Sequence, residues 1–364
     1  MAPPPPSASL LAAVTAADNA PGPYSHTDAT PHPSTWVEDH ESLYPFHLTR
    51  EDHDRGDVVP IGWIRPQVAD FLLDHWPEDA LGSEAALEVQ LDCVHFADWV
   101  LKDGMEGIDR EMARLARYWK DNGYFAECLD GWRGELYAIY GDLKSSYFAG
   151  NTKTESKAGQ NHAFSLERAA CAVFGLATYG VHMTAYEGEG ENMQVWVPRR
   201  SATKATWPSK LDNSVAGGIP SGMAPFDCLF KECHEEASLP EELVQRRAKP
   251  AGVTTYFYIT EKGWLQPEVE YIYDLQLPPQ DSFDYVKLSP LDDEVESFQL
   301  LPVQDVISIL RNDPHAFKPN CGLIIVDFLV RHGFIHAEND PNFIEIVNRC
   351  HRNLSECVAM PLRG

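Results

Sequence analysis

Three glutamates, Glu232, Glu235 and Glu236, stand at i, i+3 and i+4 in the stretch FDCLFKECHEEA. On a helix that spacing puts all three carboxylates on one face about 80° wide, at 100° per residue. Like charges held so close repel, and a fold that keeps them together gains from a cation placed between them. An all-carboxylate set selects a hard cation, Mg²⁺ or Mn²⁺, over zinc. The bland alternative is a solvated acidic helix face, which a chain with 55 acidic and 29 basic residues makes readily. Ahead of the glutamates, Gly217 and Gly218 permit a tight backbone path, and Pro225 suits the first turn of a helix running to about Ala237.

The elements that must position these carboxylates fall into two parts. A chain of 364 residues is comfortable for two domains of ordinary size. Residues 1–7 read as a Pro-rich disordered tail, with a short helix through Ala17 after Ser7, and residues 19–35 read as loop. Pro66 to Trp76 and Met105 to Asn122 carry apolar residues at helical spacing, and Glu135 to Tyr140 alternates as a strand does. The polar stretch 150–161 has the composition of a linker, so a first mixed α/β domain is expected over 8–160 and a second over 161–358. In the second, Ser165 to Phe174 reads as a helix and Tyr179 to Tyr186 with Met193 to Val197 as a hairpin. Gly252 to Thr260 and Glu268 to Leu277 read as strands; Val303 to Leu310, Gly322 to Gly333 and Asn342 to Asn353 read as helices. The second part is a sheet with helices around it.

Composition narrows the function. A formal charge of −26 repels polyanions and argues against nucleic acid or anionic membrane surfaces as partners. The longest apolar run, Leu323 to Val330, falls far short of the roughly 20 residues a membrane span requires. The first twenty residues lack Lys and Arg, so no secretory or mitochondrial leader is expected, and the location is expected to be cytoplasmic. Eight scattered cysteines with no CxxC pair are expected to stay reduced, and no His/Cys set has zinc spacing.

Residues 216 to 240, AGGIPSGMAPFDCLFKECHEEASLP, resemble the Nudix box, G-x5-E-x7-R-E-U-x-E-E-x-G-U with U aliphatic. Gly217 matches the opening glycine, Lys231 and Glu232 the R-E pair, Glu235 and Glu236 the E-E pair, and Leu239 the last apolar site. Met223, Lys231 and Ser238 depart from the pattern. The stretches WRGELYAIYG, FSLERAACAVFG, PRRSATKATWP and KPNCGLIIVDFLVRHGFI look like the fungal and plant branch labelled thiamine pyrophosphokinase-related Nudix proteins, which carry a DUF4743 domain ahead of the catalytic one.

The resemblance implies a Nudix α/β/α sandwich with a mixed sheet, and Glu232, Glu235 and Glu236 as metal-binding catalytic carboxylates. It implies Arg199, Arg200 and Lys204 as phosphate contacts, Trp207 as a stacking or core residue, and Glu294 or Glu296 as an additional acid. The implied activity is hydrolysis of a small-molecule diphosphate of thiamine type, particularly damaged forms such as oxythiamine diphosphate, to the monophosphate. The kinase label conflicts with the absence of a GxxxxGK[ST] loop. Two alternatives stand beside it: an oxidised nucleoside diphosphate such as 8-oxo-dGDP, or ADP-ribose, as substrate, and a non-catalytic binding protein that kept the fold. The sequence sets no oligomeric state.

Overall fold

Residues 9–21, 43–77, 84–149, 159–291 and 293–362 are described by a computed structural model. The tail expected over residues 1–7, most of the loop at 19–35 and most of the stretch 150–161 lie outside the described residues. After a short helix, α1 (Leu11–Thr15), the first part forms a four-stranded sheet from β1 (Tyr44–His47), β2 (Gly62–Ile64), β3 (Leu87–Val89) and β4 (Val94–Phe96), in the order β2-β1-β4-β3. Around it lie α2 (Arg50–Arg55), α3 (Pro66–Asp74), α4 (Asp98–Lys102) and α5 (Gly104–Asp121). The heptad-like spacing of Ile108, Met112, Leu115, Ala116 and Trp119 explains α5, because every one of them is buried on its inner side. A turn of helix, α6 (Ala126–Leu129), leads to β5 (Leu136–Tyr140), which pairs antiparallel with β6 (His162–Glu167).

Here the structure corrects the helix expected over Ser165 to Phe174. The segment AFSLE is strand, and only α7 (Arg168–Cys171) and a 3₁₀ turn over Ala172–Phe174 are helical. Both faces of β6 are buried, so the period-2 alternation that marks a half-exposed strand is missing. Ala163, Phe164, Leu166 and residues 170–174 pack into the first core with Ile108, Met112 and Trp119. Asn161, expected in an exposed linker, is buried, its amide donating to the carbonyls of Gly141 and Met360 at 2.7 Å each.

The second part is a mixed sheet. Its path is β10 (Ala248–Ile259), β11 (Leu265–Gln276), β7 (Thr178–Glu187), β8 (Gln194–Arg200) and β12 (Val295–Pro302), with β9 (Val215–Gly218) also on β7. β11 runs parallel to β7, and the other pairs are antiparallel. Strand alternation sends Val181, Met183, Val215, Val269 and Phe257 to one face, under α8 (Pro225–Ala237) and α9 (Glu241–Arg247). Val195, Val197 and Tyr256 go to the other, under α1, α10 (Val303–Asn312), α11 (Pro319–Arg331) and α12 (Phe343–Cys350). That is a mixed α/β architecture, helices over both faces of a mixed sheet. All eight cysteines are free, and among the described residues no helix is long and apolar enough to cross a membrane.

One detail of register opens the site. β8 pairs with β7 only at Tyr186–Val195 and Glu187–Gln194, whereas β9 takes the other half of β7, from Gly180–Gly218 to Met183–Val215. The sheet therefore splits between β8 and β9.

Candidate active site

A cleft of about 820 Å³ lies at that split. Helix α8 flanks it because its apolar side, Cys228, Leu229, Cys233 and Ala237, is buried on the sheet, which leaves Glu232, Glu235 and Glu236 on the side facing the cleft. Glu232 lies against Gly217, where an added Cβ would sit 2.4 Å from its Cγ and Cδ. An added Cβ on Gly218 would meet the Tyr137 hydroxyl at 1.6 Å. The two glycines are therefore needed for close approach within a strand, not for the tight turn their sequence suggests; the left-handed turn falls at Gly222, with φ of 82°. Glu236 accepts the N–H of Ala216 at 3.0 Å, on the strand edge that β8 has left.

The electrostatics match the spacing. Burial pushes Glu232 above the usual carboxylate range, with Glu235 and Glu135 adding to it against Lys231. Burial also pushes Glu236 well above that range, the Ala216 N–H opposes, and the Asp212 and Glu232 carboxylates push it further. Lys231 Nζ stands 3.1 Å from Glu232 and 3.2 Å from Glu235, so an ammonium occupies the place between two of the three acids. Among the described residues these glutamates do not bring three oxygens within 4.8 Å of one another. The donors nevertheless fit a hard divalent cation: all are carboxylate oxygens, those of Glu232 and Glu236 desolvated by burial and those of Glu235 open to solvent, with one lysine as counter-charge.

The departures from the box have local accounts. Met223 packs against the second core. Ser238 ends α8 in the left-handed region, φ 55°, where glycine would be unstrained, and its hydroxyl donates to the Ser289 carbonyl at 2.9 Å.

The upstream basic residues separate. Arg199 lies outside the cleft, donating to the Ser209 carbonyl at 2.8 Å. Arg200 lines it, but its guanidinium is committed to the Trp207 carbonyl (3.0 Å), the Thr206 carbonyl (2.9 Å) and Asp212 (2.6 Å), so it clamps the 201–210 loop. Lys204 lines the cleft and pairs with Glu294, which Arg133 approaches at 3.8 Å. Trp207 is on the cleft wall, half-buried, with φ of 53°, and belongs to no core. Glu296 is exposed at a register irregularity of β12 and does not reach the cleft. Arg199→Ala and Glu296→Ala are accordingly expected to leave KM and kcat within about twofold of wild type, the scale of surface changes; a tenfold rise in KM for either would put that side chain back in the site.

Several cleft residues escaped the sequence reading. Glu268 and Glu270 stand two apart on β11, so both face the α11 side, where Tyr256 Oη lies 2.6 and 2.9 Å from them with one proton to share. Burial and Glu270 push Glu268 up to about 7; burial also opposes ionisation of Glu270, but His182, 3.6 Å away, holds it low. Two carboxylates at i and i+2, flanking Val269 in sequence and so on one face of a strand, were the available signal. From the first part come Arg133, Tyr137 and Arg168, the last 2.7 Å from Glu135 and 5.2 Å over the Tyr137 ring. No local pattern marks them, since only the docking of β5 beside β9 brings them in.

Residues 178–321 match the family model described as NUDIX domain. The uncharacterized protein YJR142W of Saccharomyces cerevisiae is 39% identical over 238 residues, 62% of this chain and 63% of that protein. Nudix hydrolase 20, chloroplastic, of Arabidopsis thaliana is 38% identical over 61% of this chain and 53% of its own length. Nudix hydrolase 24, chloroplastic, of the same plant is 37% identical over 61% and 54%. The matched region thus spans between about half and two thirds of these relatives.

Proposed function

We propose that this chain is a Nudix hydrolase, a divalent-metal-dependent enzyme that cleaves a diphosphate linkage in a small molecule. The observation that carries the reading is the placement of Glu232, Glu235 and Glu236 together on the cleft side of α8 within the segment that matches the NUDIX domain. Glu232, Glu235 and Glu236 would hold Mg²⁺ or Mn²⁺, which when bound supplies charge neutralisation at the diphosphate oxygens and a more acidic water. Gly217 lets Glu232 lie flat against the strand, and the Ala216 N–H orients Glu236. Lys204 and Lys231 supply positive charge at the phosphate end, each released from a glutamate when substrate arrives.

For the substrate we infer a diphosphate of thiamine type, with damaged forms such as oxythiamine diphosphate preferred, and the monophosphate as product. Support comes from the branch-specific stretches of sequence and from a cleft wall that offers Tyr137, Tyr258 and Trp207 to a ring. In the same reading the DUF4743-like first domain ends near residue 160 in sequence and furnishes one wall of the cleft through Arg133, Tyr137 and Arg168. The test is product analysis by mass spectrometry with Mg²⁺ and a panel of thiamine diphosphate, oxythiamine diphosphate, 8-oxo-dGDP and ADP-ribose. Fastest monophosphate formation from a thiamine-type member supports the substrate assignment; preference for 8-oxo-dGDP or ADP-ribose replaces it with the nucleotide one.

A further inference from the structure

The segment KPNCGLIIVDFLVRHGFI serves the hydrolase reading only as scaffold, yet its first three residues, Lys318, Pro319 and Asn320, line the cleft. They start α11, a 13-residue helix with Pro319 in its first turn. Pro319 has no N–H to offer, so the positive end of the helix is presented through the neighbouring amides and side chains. Asn320 is 9% exposed. Its Oδ1 receives a 3.4 Å contact from the Cys321 thiol, while its Nδ2 has no hydrogen-bond partner among the described residues. That nitrogen is not sealed off, so its N–H groups are open to a ligand in the cleft.

Lys318 tells the same story by charge. Its ammonium makes no hydrogen bond and has no carboxylate within 4.0 Å among the described residues. Asp212 and Glu268 attract it across a gap without direct contact, and each already has a donor of its own, Asp212 in Arg200 and Cys321 and Glu268 in Tyr256. Arg200 is itself spent on Asp212 and two carbonyls. Elsewhere in the cleft, Lys231 and Lys204 each already touch a glutamate. An ammonium with no carboxylate in contact and an amide with open N–H groups, both lining the cleft at the start of one helix, match a ligand rich in anionic oxygens.

We propose that the start of α11 is the seat of a substrate phosphate group, with Lys318 Nζ and Asn320 Nδ2 as its donors. This rests on the hydrolase reading of the cleft and moves the phosphate contacts from Arg199 and Arg200 to the opposite wall. It divides the work: carboxylates of α8 on one side, donors from α11 on the other, and the diphosphate between.

The test is isothermal titration of methylenediphosphonate, a non-hydrolysable diphosphate, into the full chain with Mg²⁺. Lys318→Met is expected to weaken binding about tenfold or more, the scale of one charge-assisted contact. Lys318→Arg should recover most of the loss, Arg199→Met should change nothing, and in turnover Lys318→Met should raise KM more than it lowers kcat. If Lys318→Met fails to fold by circular dichroism, Asn320→Ala, which keeps the charge, decides by the same titration with a several-fold loss. Wild-type affinity in both variants, or no binding by the wild type, overturns the subsite. Binding that depends on Lys318 in a protein that turns over no diphosphate would uphold the subsite and remove the hydrolase reading.

Discussion

Replacing Glu236 by glutamine is expected to cut metal-dependent turnover by about 10²–10³-fold, the range for removing one preorganised electrostatic group from an active site, while making the metal-free protein more stable at neutral pH. Glutamine keeps the shape and can still accept the Ala216 N–H. What it removes is a charge that burial, Asp212 and Glu232 all oppose. The sign of the pH dependence follows. A carboxyl whose folded pKa lies above its unfolded value of about 4.5 favours the fold when protonated, and that contribution is lost as pH rises through the folded value. In EDTA the wild-type melting temperature should therefore fall as pH climbs from about 4.5 toward neutrality, and Mg²⁺ should restore it by binding the folded state. The Gln variant should show a shallower fall and a smaller response to Mg²⁺. Full activity in Glu236→Gln would take this residue out of the reaction, and an unchanged melting profile would contradict the charge argument.

Gly217→Ala should be nearly as damaging to activity through geometry alone. Its Cβ would lie 2.4 Å from Glu232 Cγ and Cδ, so the glutamate must leave its seat on β9. A displacement on the order of 1 Å at a positioning group can cost about 10²-fold in rate. Stability should fall by about 1–3 kcal/mol, as for other overpacked sites. Gly222→Ala separates the two effects. It strains a backbone at φ 82° by roughly 1–2 kcal/mol but has open space around its Cβ and no contact with Glu232. Urea denaturation should rank the two variants as similar, whereas turnover should fall only in Gly217→Ala. Equal activity in both would mean that the close approach of Glu232 to the strand is not needed.

Local pattern was enough to read the elements that carry the carboxylates. Helix α8 is marked by Pro225, by buried Cys228, Leu229 and Cys233 at helical spacing, and by the acids on its other side, and it spans Pro225–Ala237. The strands β10 and β11 begin before the runs expected from alternation, because Pro250 and Pro267 interrupt the pattern yet still pair across the sheet with Tyr273 and Phe257. The strand His162–Glu167 was misread because both of its faces are buried. Side-chain roles were less legible. Arg199 and Arg200 are neighbours in sequence, but strand alternation sends one out of the cleft, and the other is consumed by three acceptors of its own loop. Glu296 looked equivalent to Glu294 until the irregularity in β12 turned it outward. Lys318, Glu268 and Tyr137 meet only through the pairing of β11 with β7, β9 with β7 and the docking of β5, contacts that span up to half the chain and leave no short-range signature.

The most direct measurement of the central claim is hydrolysis in ¹⁸O-labelled water, with the products of a diphosphate substrate weighed by mass spectrometry. The account predicts one ¹⁸O atom in a single phosphoryl product when Mg²⁺ is present, none when EDTA replaces it, and none with Glu236→Gln over the same interval. Products carrying no label, or labelled product that persists in EDTA, would contradict a metal-dependent attack of water on the diphosphate.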